Sequence, residues 1–111
     1  MFLVTGFPKS GTQYVAGCLR AAGYRVGHEN RREDGVVSWK ELPNAEEFRK
    51  SLFIIRNPLH VMRSGMTITR SSMNKLGCDL NGDKLTELLK AWIRWFKECE
   101  RVCEGPFKVE D

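Results

Sequence analysis

A short run at residues 6–12 combines residue types that bind anions. Its letters are G-F-P-K-S-G-T, between an apolar segment of strand length and a helical pattern. In such a turn successive backbone N–H groups converge into an anion site, and glycines let the chain approach the oxygens closely. Ser10 and Thr12 add hydroxyl groups, and Lys9 adds a mobile positive charge. We therefore expect residues 6–12 to hold a phosphate or a phosphate-like group; the alternative is a plain helix-capping turn with a surface lysine.

A second pattern with related chemistry lies at residues 53–64, which read F-I-I-R-N-P-L-H-V-M-R-S. Arg56 ends the most apolar segment of the chain, and a helix that Asn57 caps follows it directly. Arg56 therefore stands beside a helix N-terminus, where the dipole also favours anions. Ser64 shares a helix side with Asn57 by the i, i+3, i+4, i+7 rule. Each residue taken singly has another explanation: Arg56 could form an ion pair at the sheet edge, and Ser64 could be an exposed serine of the helix.

The two motifs together resemble the PAPS-dependent sulfotransferase family, where PAPS is 3′-phosphoadenosine 5′-phosphosulfate. P-K-S-G-T after a buried strand resembles the family's 5′-phosphosulfate loop, and R-[DN]-P-x-x-x-x-x-S resembles its 3′-phosphate element. A Walker A motif differs, because its lysine follows the last glycine. Gln13 stands where relatives often carry threonine, and it can still donate a hydrogen bond. The resemblance assigns donor binding to Pro8, Lys9, Ser10, Gly11, Thr12, Gln13, Arg56 and Ser64.

The resemblance also implies an activity. It implies transfer of a sulfuryl group from PAPS to a hydroxyl or amine of a small-molecule or carbohydrate acceptor, with release of PAP and no metal. Such a reaction needs a base for the acceptor proton and a positive charge for the leaving phosphate. Lys9 is the expected charge. In sugar-specific members a glutamate about this far beyond the loop lysine is the base, so we favour Glu29 over His28; the alternative is a structural histidine beside a loop carboxylate.

Two other functions stay open. One is a phosphotransferase of the nucleoside or nucleotide kinase type, which needs magnesium and a carboxylate after an apolar strand, where this sequence has Arg56. The other is a non-catalytic module that binds PAP or another anion.

Residues 107–111 resemble the start of a strand that members of the family continue. Those members carry a further C-terminal segment that closes over the adenosine of the donor, and nothing in this sequence matches it. We therefore expect one domain over residues 1–111, incomplete at its C-terminus.

Turn residues and apolar periodicity divide the chain into short elements. Strands are expected at residues 2–5, 24–28, 52–55 and from 107 onward. Helices are expected at residues 12–22, 44–50, 58 to about 66, and 84 to about 104. Residues 29–38 and 67–82 are expected to be loops. The last helix, capped by Asp83, has an apolar stripe of Leu85, Leu88, Leu89, Trp92, Phe96, Cys99 and Cys103.

Strands and helices that alternate in this way predict an α/β three-layer sandwich around a mainly parallel sheet. The resemblance refines this to a P-loop NTPase-like sulfotransferase core. Ligands in such sheets bind beyond the carboxyl ends of the strands. Residues 6–12 and 56–58 each join a strand end to a helix start, so we expect the site there.

The composition is that of an ordinary folded domain, with 41% hydrophobic and 29% charged residues. A net charge of +4 suits an anionic small ligand, and no basic run is long enough to predict nucleic-acid binding. The four cysteines form no C-x-x-C pair, and no secretion signal or membrane-spanning run is recognisable. We therefore expect a cytoplasmic protein with reduced thiols. A homodimer whose second chain completes the sheet edge is one arrangement left open.

Overall fold

A sheet of short strands forms the centre of the molecule, and the computed structural model describes residues 1–109. The strands are β1 (Phe2–Gly6), β2 (Val26–His28), β3 (Gly35–Val37), β4 (Lys50–Ile55) and β5 (Glu104–Lys108). The helices are α1 (Thr12–Ala21), α2 (Pro58–Gly65), α3 (Arg70–Lys75), α4 (Lys84–Val102) and a 3₁₀ helix (Leu42–Glu47). The predicted α/β class is confirmed.

The strand order β2-β3-β1-β4-β5 places β1 at the centre, and all neighbouring strands run parallel. The chain leaves β1 through α1 toward β2 and β3 on one side. It leaves β4 through α2, α3 and α4 toward β5 on the other side. This reversal creates a topological switch point between the carboxyl ends of β1 and β4, where open α/β sheets bind ligands. Gly6 pairs with Ile54, so the two following loops start level with each other.

Helices cover both faces of the sheet and complete three layers. On the α1 side, Val4, Val37 and Ile54 pack around Ala16. On the other side, the 3₁₀ helix covers Leu3 and Val36, and α2 and α4 cover Phe53. Adjacent residues such as Leu3 and Val4 face opposite layers because side chains alternate along a strand. Burial on both faces explains why β1 and the second half of β4 read as apolar runs.

Local signals predicted the starts of three helices correctly. α1 begins at Thr12, after the turn that the glycines predict. Asn57 caps α2 and accepts a hydrogen bond from the Leu59 N–H at 3.0 Å. Asp83 caps α4 and accepts one from the Thr86 N–H at 3.0 Å. Each of these signals acts over a few residues, so sequence alone is enough to find it.

The expectation of a loop at residues 29–38 is wrong, because this segment contains β3. Three residues are too few to show an alternating pattern, and a polar run precedes them. β3 pairs with β1 on one side and β2 on the other. Its existence therefore depends on pairing with two other strands, one of which, β1, is distant in sequence. β2 is also shorter than expected and begins at Val26.

The helix expected at residues 44–50 is wrong as well. The 3₁₀ helix begins after Glu41, Asn44 lies within it at φ −102°, and Lys50 already belongs to β4. Residues 67–82, expected to be irregular, contain α3 with Thr69 as its N-cap. The predicted strand from Phe107 onward begins earlier, at Glu104, and residues 110 and 111 lie outside the described part.

α4 is amphipathic, but its buried side is rotated from the predicted stripe. Its buried residues are Leu88, Ala91, Trp95 and Cys99. Trp92 and Phe96 are half-buried at the edge, and Leu85 and Leu89 are exposed. Within residues 1–109, each helix is too short or too polar to cross a bilayer.

Candidate functional site

A cleft of about 500 Å³ opens at the carboxyl ends of β1 to β4. This volume falls within the range of small-molecule and cofactor sites. Both predicted anion elements and both candidate bases line it. The predicted residues in its wall are Pro8, Lys9, Gly11, Thr12, Gln13, His28, Glu29, Arg56 and Ser64. The switch point and the chemistry expected from the sequence therefore coincide.

Left-handed backbone shapes the loop after β1. Lys9 has φ 71° and Gly11 has φ 91°. Left-handed residues in a tight turn direct successive N–H groups toward one concave side. Ser10 departs from its prediction: it is buried, and both its N–H and its hydroxyl bond to the Phe7 carbonyl. Its hydroxyl therefore holds the turn closed, and Ser10 does not line the cleft.

The N-terminus of α1 is the one α-helix start in residues 1–109 without a side-chain cap. Its N-cap is Gly11, and the first N–H groups of a helix have no partner within it. An anion can satisfy those groups and interact favourably with the helix dipole. The hydroxyl of Thr12 is paired with His28 Nε2 at 3.1 Å. The loop therefore offers backbone N–H groups and Lys9, while Thr12 positions a neighbouring side chain.

Arg56 and Ser64 line the same cleft from the side of β4 and α2. Buried Val61 and Met62 anchor α2 against the core, and this leaves Ser64 half-buried at the cleft wall. Arg56 is also half-buried, directly after β4. His60 is exposed and is not part of the wall. The spacing of arginine and serine along the chain therefore does bring both residues to one cavity.

Glu29 is held in a small polar network. One carboxylate oxygen accepts a hydrogen bond from the Ser38 hydroxyl at 2.6 Å, and the other lies 3.7 Å from His28 Nε2. Ser38 Oγ also accepts the Lys40 N–H at 3.1 Å, and Ser38 is 1% exposed. The side chains of His28 and Glu29 keep 29% and 25% exposure. Glu29 is thus oriented from behind by Ser38 and remains reachable from the cleft.

Backbone strain coincides with the candidate catalytic residues. Within residues 1–109, Lys9 and Glu29 are the non-glycine residues with positive φ, at 71° and 67°. The left-handed conformation costs a residue with a Cβ about 1–2 kcal/mol. Glu29 is held in it by its N–H, which donates to the Val37 carbonyl at 2.9 Å. Residues held in sparsely populated conformations concentrate at functional sites, where the surrounding structure stabilises them.

Sequence reasoning missed part of the cleft wall. Lys40 lines the wall and the buried Ser38 lies behind Glu29; both follow β3, for which the Val36-Val37 pair is a short apolar signal. Trp39 lies between them and is half-buried in the wall. The rest of the wall comes from α3 and the segment before it, which lack an apolar periodicity: Thr67, Ile68, Thr69 and Ser72.

Comparisons with protein-family models, with curated proteins and with solved structures found no match. The family resemblance therefore stays a prediction based on two short motifs. What the chain can do has to be inferred from the cleft and its residues.

Proposed function

We propose that this chain is a sulfotransferase that binds PAPS and transfers its sulfuryl group to a small acceptor. One observation supports this most directly. The Lys9 loop and the Arg56–Ser64 element line one cleft at the switch point, so a single nucleotide with two separated anionic ends can contact both. A site for one phosphate would need only one of them. The central position of β1, with the Lys9 loop at its end, also supports a P-loop-type core.

The Lys9 loop is the proposed site for the 5′-phosphosulfate. Its left-handed turn and the uncapped start of α1 provide backbone N–H groups for oxygen atoms. Lys9 is exposed, and the flexible stem of a lysine lets its charge follow the charge that moves to the leaving phosphate. Arg56, with Ser64, is the proposed partner of the 3′-phosphate, which arginine binds through two parallel hydrogen bonds.

Glu29 is the proposed base. When PAPS is bound, the acceptor oxygen or nitrogen bonds to sulfur while the sulfur–oxygen bond to the 5′-phosphate breaks, its electron pair stays on that phosphate, and the acceptor proton passes to Glu29. Ser38 keeps the Glu29 carboxylate in one orientation. His28 lies between Thr12 and Glu29, where it can stabilise the network or exchange the proton.

Isothermal titration calorimetry with PAP in the presence of EDTA tests the donor site. We expect binding in the micromolar range without magnesium, and loss of at least tenfold in affinity for Lys9→Ala, since a charge-assisted contact contributes about 1.5–3 kcal/mol. Lys97→Ala is the matched control, because Lys97 is exposed on α4 and outside the cleft. Failure of the folded protein to bind PAP would rule out the proposal.

Transfer from radiolabelled PAPS to a panel of alcohols, sugars and amines tests the reaction itself. Product formation that Lys9→Ala and Glu29→Gln abolish is the expected result. PAP binding without any transfer would instead identify a non-catalytic module. Magnesium-dependent phosphate transfer from ATP would identify a phosphotransferase.

A further inference from the structure

A second cavity of about 420 Å³ adjoins the proposed donor cleft. Trp39 and Lys40 belong to the walls of both, so the two spaces meet at these side chains. The wall of the second cavity comes from the 3₁₀ helix, the end of α3 and the buried side of α4. Its residues are Trp39, Lys40, Leu42, Pro43, Lys75, Leu76, Ala91, Arg94 and Trp95.

The second cavity combines an apolar floor with positive charge. Leu42 and Trp95 are buried and Leu76 is half-buried, so the floor suits a ring or a short hydrocarbon. Lys40, Lys75 and Arg94 stand around it, and none of the described residues that line the cavity is acidic.

The positive charges stay largely unneutralised within the described chain. In residues 1–109 no carboxylate lies within 4.0 Å of the charged nitrogens of Lys40, Lys75 or Arg94. Arg94 donates to the carbonyls of Leu76 and Gly77, each at 3.3 Å, which orients its guanidinium. The Glu87 carboxylate, also on α4, accepts hydrogen bonds from the Asp79 N–H and from Lys90 instead.

The floor of this cavity is rigidly joined to the donor loop. The Trp95 ring makes edge contacts with Phe7 at 5.9 Å and with Phe53 at 6.1 Å between centroids. Phe7 is fully buried and precedes Pro8 and Lys9. A ligand against Trp95 is therefore held in a constant position relative to the loop that carries Lys9.

The shared wall is also joined to the proposed base. Ser38, the residue before Trp39, donates to Glu29 at 2.6 Å and accepts from the Lys40 N–H at 3.1 Å. A ligand in the second cavity that extends past Trp39 therefore enters the donor cleft on the side of Glu29.

We propose that the second cavity binds the body of the acceptor, and that the acceptor is a small hydroxy compound with an apolar ring and a carboxylate. The ring packs against Trp95, the carboxylate pairs with Lys75 and Arg94, and the hydroxyl extends past Trp39 toward Glu29. The assignment of this cavity as an acceptor site rests on the proposed function. Its preference for a carboxylate over a neutral group can be measured separately.

Two matched probes test the preference: 4-(hydroxymethyl)benzoate and its neutral carboxamide. Calorimetry on the whole chain, with and without saturating PAP, gives the ratio of their affinities. We expect the acid to bind at least about tenfold more tightly, the effect of one charge-assisted contact. In the double variant Lys75→Gln/Arg94→Gln the ratio should fall to about one. Equal binding of both probes by the wild type would overturn the proposal.

Two controls separate charge from folding and from the donor site. Arg94→Lys keeps the charge but loses the paired bonds to the carbonyls of residues 76 and 77, and it should retain most of the preference. Lys97→Gln removes a charge of α4 outside the cavity and should leave the ratio unchanged. PAP affinity should be the same in all these variants. Absence of PAP binding would count against the proposed function, whereas normal PAP binding with no acid preference would overturn this inference alone.

Discussion

The Ser38 hydroxyl donates a hydrogen bond of 2.6 Å to the Glu29 carboxylate. The bond joins the ends of two neighbouring parallel strands, β2 and β3, whose register pairs His28 with Val37. Each residue immediately follows one member of that pair. The contact therefore follows directly from strand pairing, and it makes Ser38 a positioning residue for the proposed base.

Ser38→Ala should lower kcat while leaving binding intact. Without the hydroxyl, Glu29 is free to rotate away from the acceptor, and misorientation of a catalytic group costs roughly 10- to 100-fold. We expect KM and the PAP dissociation constant to change by less than about threefold. Ser38→Thr keeps the hydroxyl and should recover part of kcat. Ser71→Ala, exposed on α3, is the matched control. An unchanged kcat in folded Ser38→Ala would contradict the role assigned to Ser38.

Lys9 should show a conflict between function and stability. Glycine adopts positive φ without the steric penalty of a Cβ. Because Lys9 has φ 71°, Lys9→Gly should be about 1 kcal/mol more stable than Lys9→Ala, although both variants lose PAP binding. Urea unfolding measures the difference. Gly17, which lies in α1 with negative φ, provides the reverse comparison, since Gly17→Ala should stabilise the helix. Equal stability of the two Lys9 variants would show that the turn is relaxed in solution.

Arg56 should distinguish two nucleotides. PAP has a 3′-phosphate and AMP does not, so Arg56→Ala should weaken PAP about 10- to 100-fold and leave AMP nearly unchanged. Lys9→Ala should weaken both nucleotides. Competition titrations give the four affinities. Arg63→Ala is the control, because Arg63 is an exposed arginine of α2 outside the cleft. If Arg56→Ala weakened AMP as strongly as PAP, Arg56 would not be the 3′-phosphate partner.

Thr5→Val should stabilise the fold by about 1 kcal/mol. Thr5 is fully buried in β1, and its hydroxyl has no hydrogen-bond partner in residues 1–109. Valine has nearly the same shape and leaves no polar group unsatisfied. Ser51→Ala is the opposite control, since the buried Ser51 hydroxyl donates to the Ala45 carbonyl at 2.8 Å and its loss should destabilise. Chemical denaturation of the wild type and the two variants gives the sign of each change in the free energy of unfolding. A Thr5→Val variant less stable than the wild type would point to a partner for this hydroxyl.

The Asp83 cap should make stability depend on pH. Hydrogen bonds from the Thr86 N–H and, with a smaller effect, from the Thr86 hydroxyl lower the pKa of the Asp83 carboxyl in the folded protein. Because this pKa is lower in the folded than in the unfolded protein, the ionised carboxylate stabilises the fold at pH values above the unfolded pKa. The stabilisation is lost as pH falls through the folded pKa. Asp83→Asn still caps the helix but does not titrate.

The free energy of unfolding of the wild type minus that of Asp83→Asn should therefore be greatest near neutral pH. It should shrink as pH falls from about 5 toward 2. Urea midpoints at several pH values measure this difference. A constant difference would show that the Asp83 charge does not contribute.

Much of the cleft could be predicted because many of its residues lie in two contiguous segments of the sequence, residues 6–12 and 53–64. Glycines and a lysine after a strand predict a turn that binds an anion. Arg56 before a capped helix predicts a second anion-binding element. What misled the sequence reading was short or interrupted structure. β3 has three residues, the turn around Asn44 looks like a cap, and α3 lacks an apolar stripe. Ser10 was assigned by its type, although its hydroxyl bonds to the carbonyl of Phe7.

By itself the sequence determined the parallel α/β architecture and the residues that begin α1, α2 and α4, and it located the two motifs that line the cleft. These features depend on interactions within a few residues or on which segments are apolar enough to be buried. The tertiary structure decided which strand ends became neighbours. By inserting β3 between β1 and β2 it brought Trp39 and Lys40 to the cleft wall, with the buried Ser38 behind Glu29. Pairing of parallel strands joins segments far apart in the chain, and it is selected by burial on both faces of the sheet, which no local pattern records.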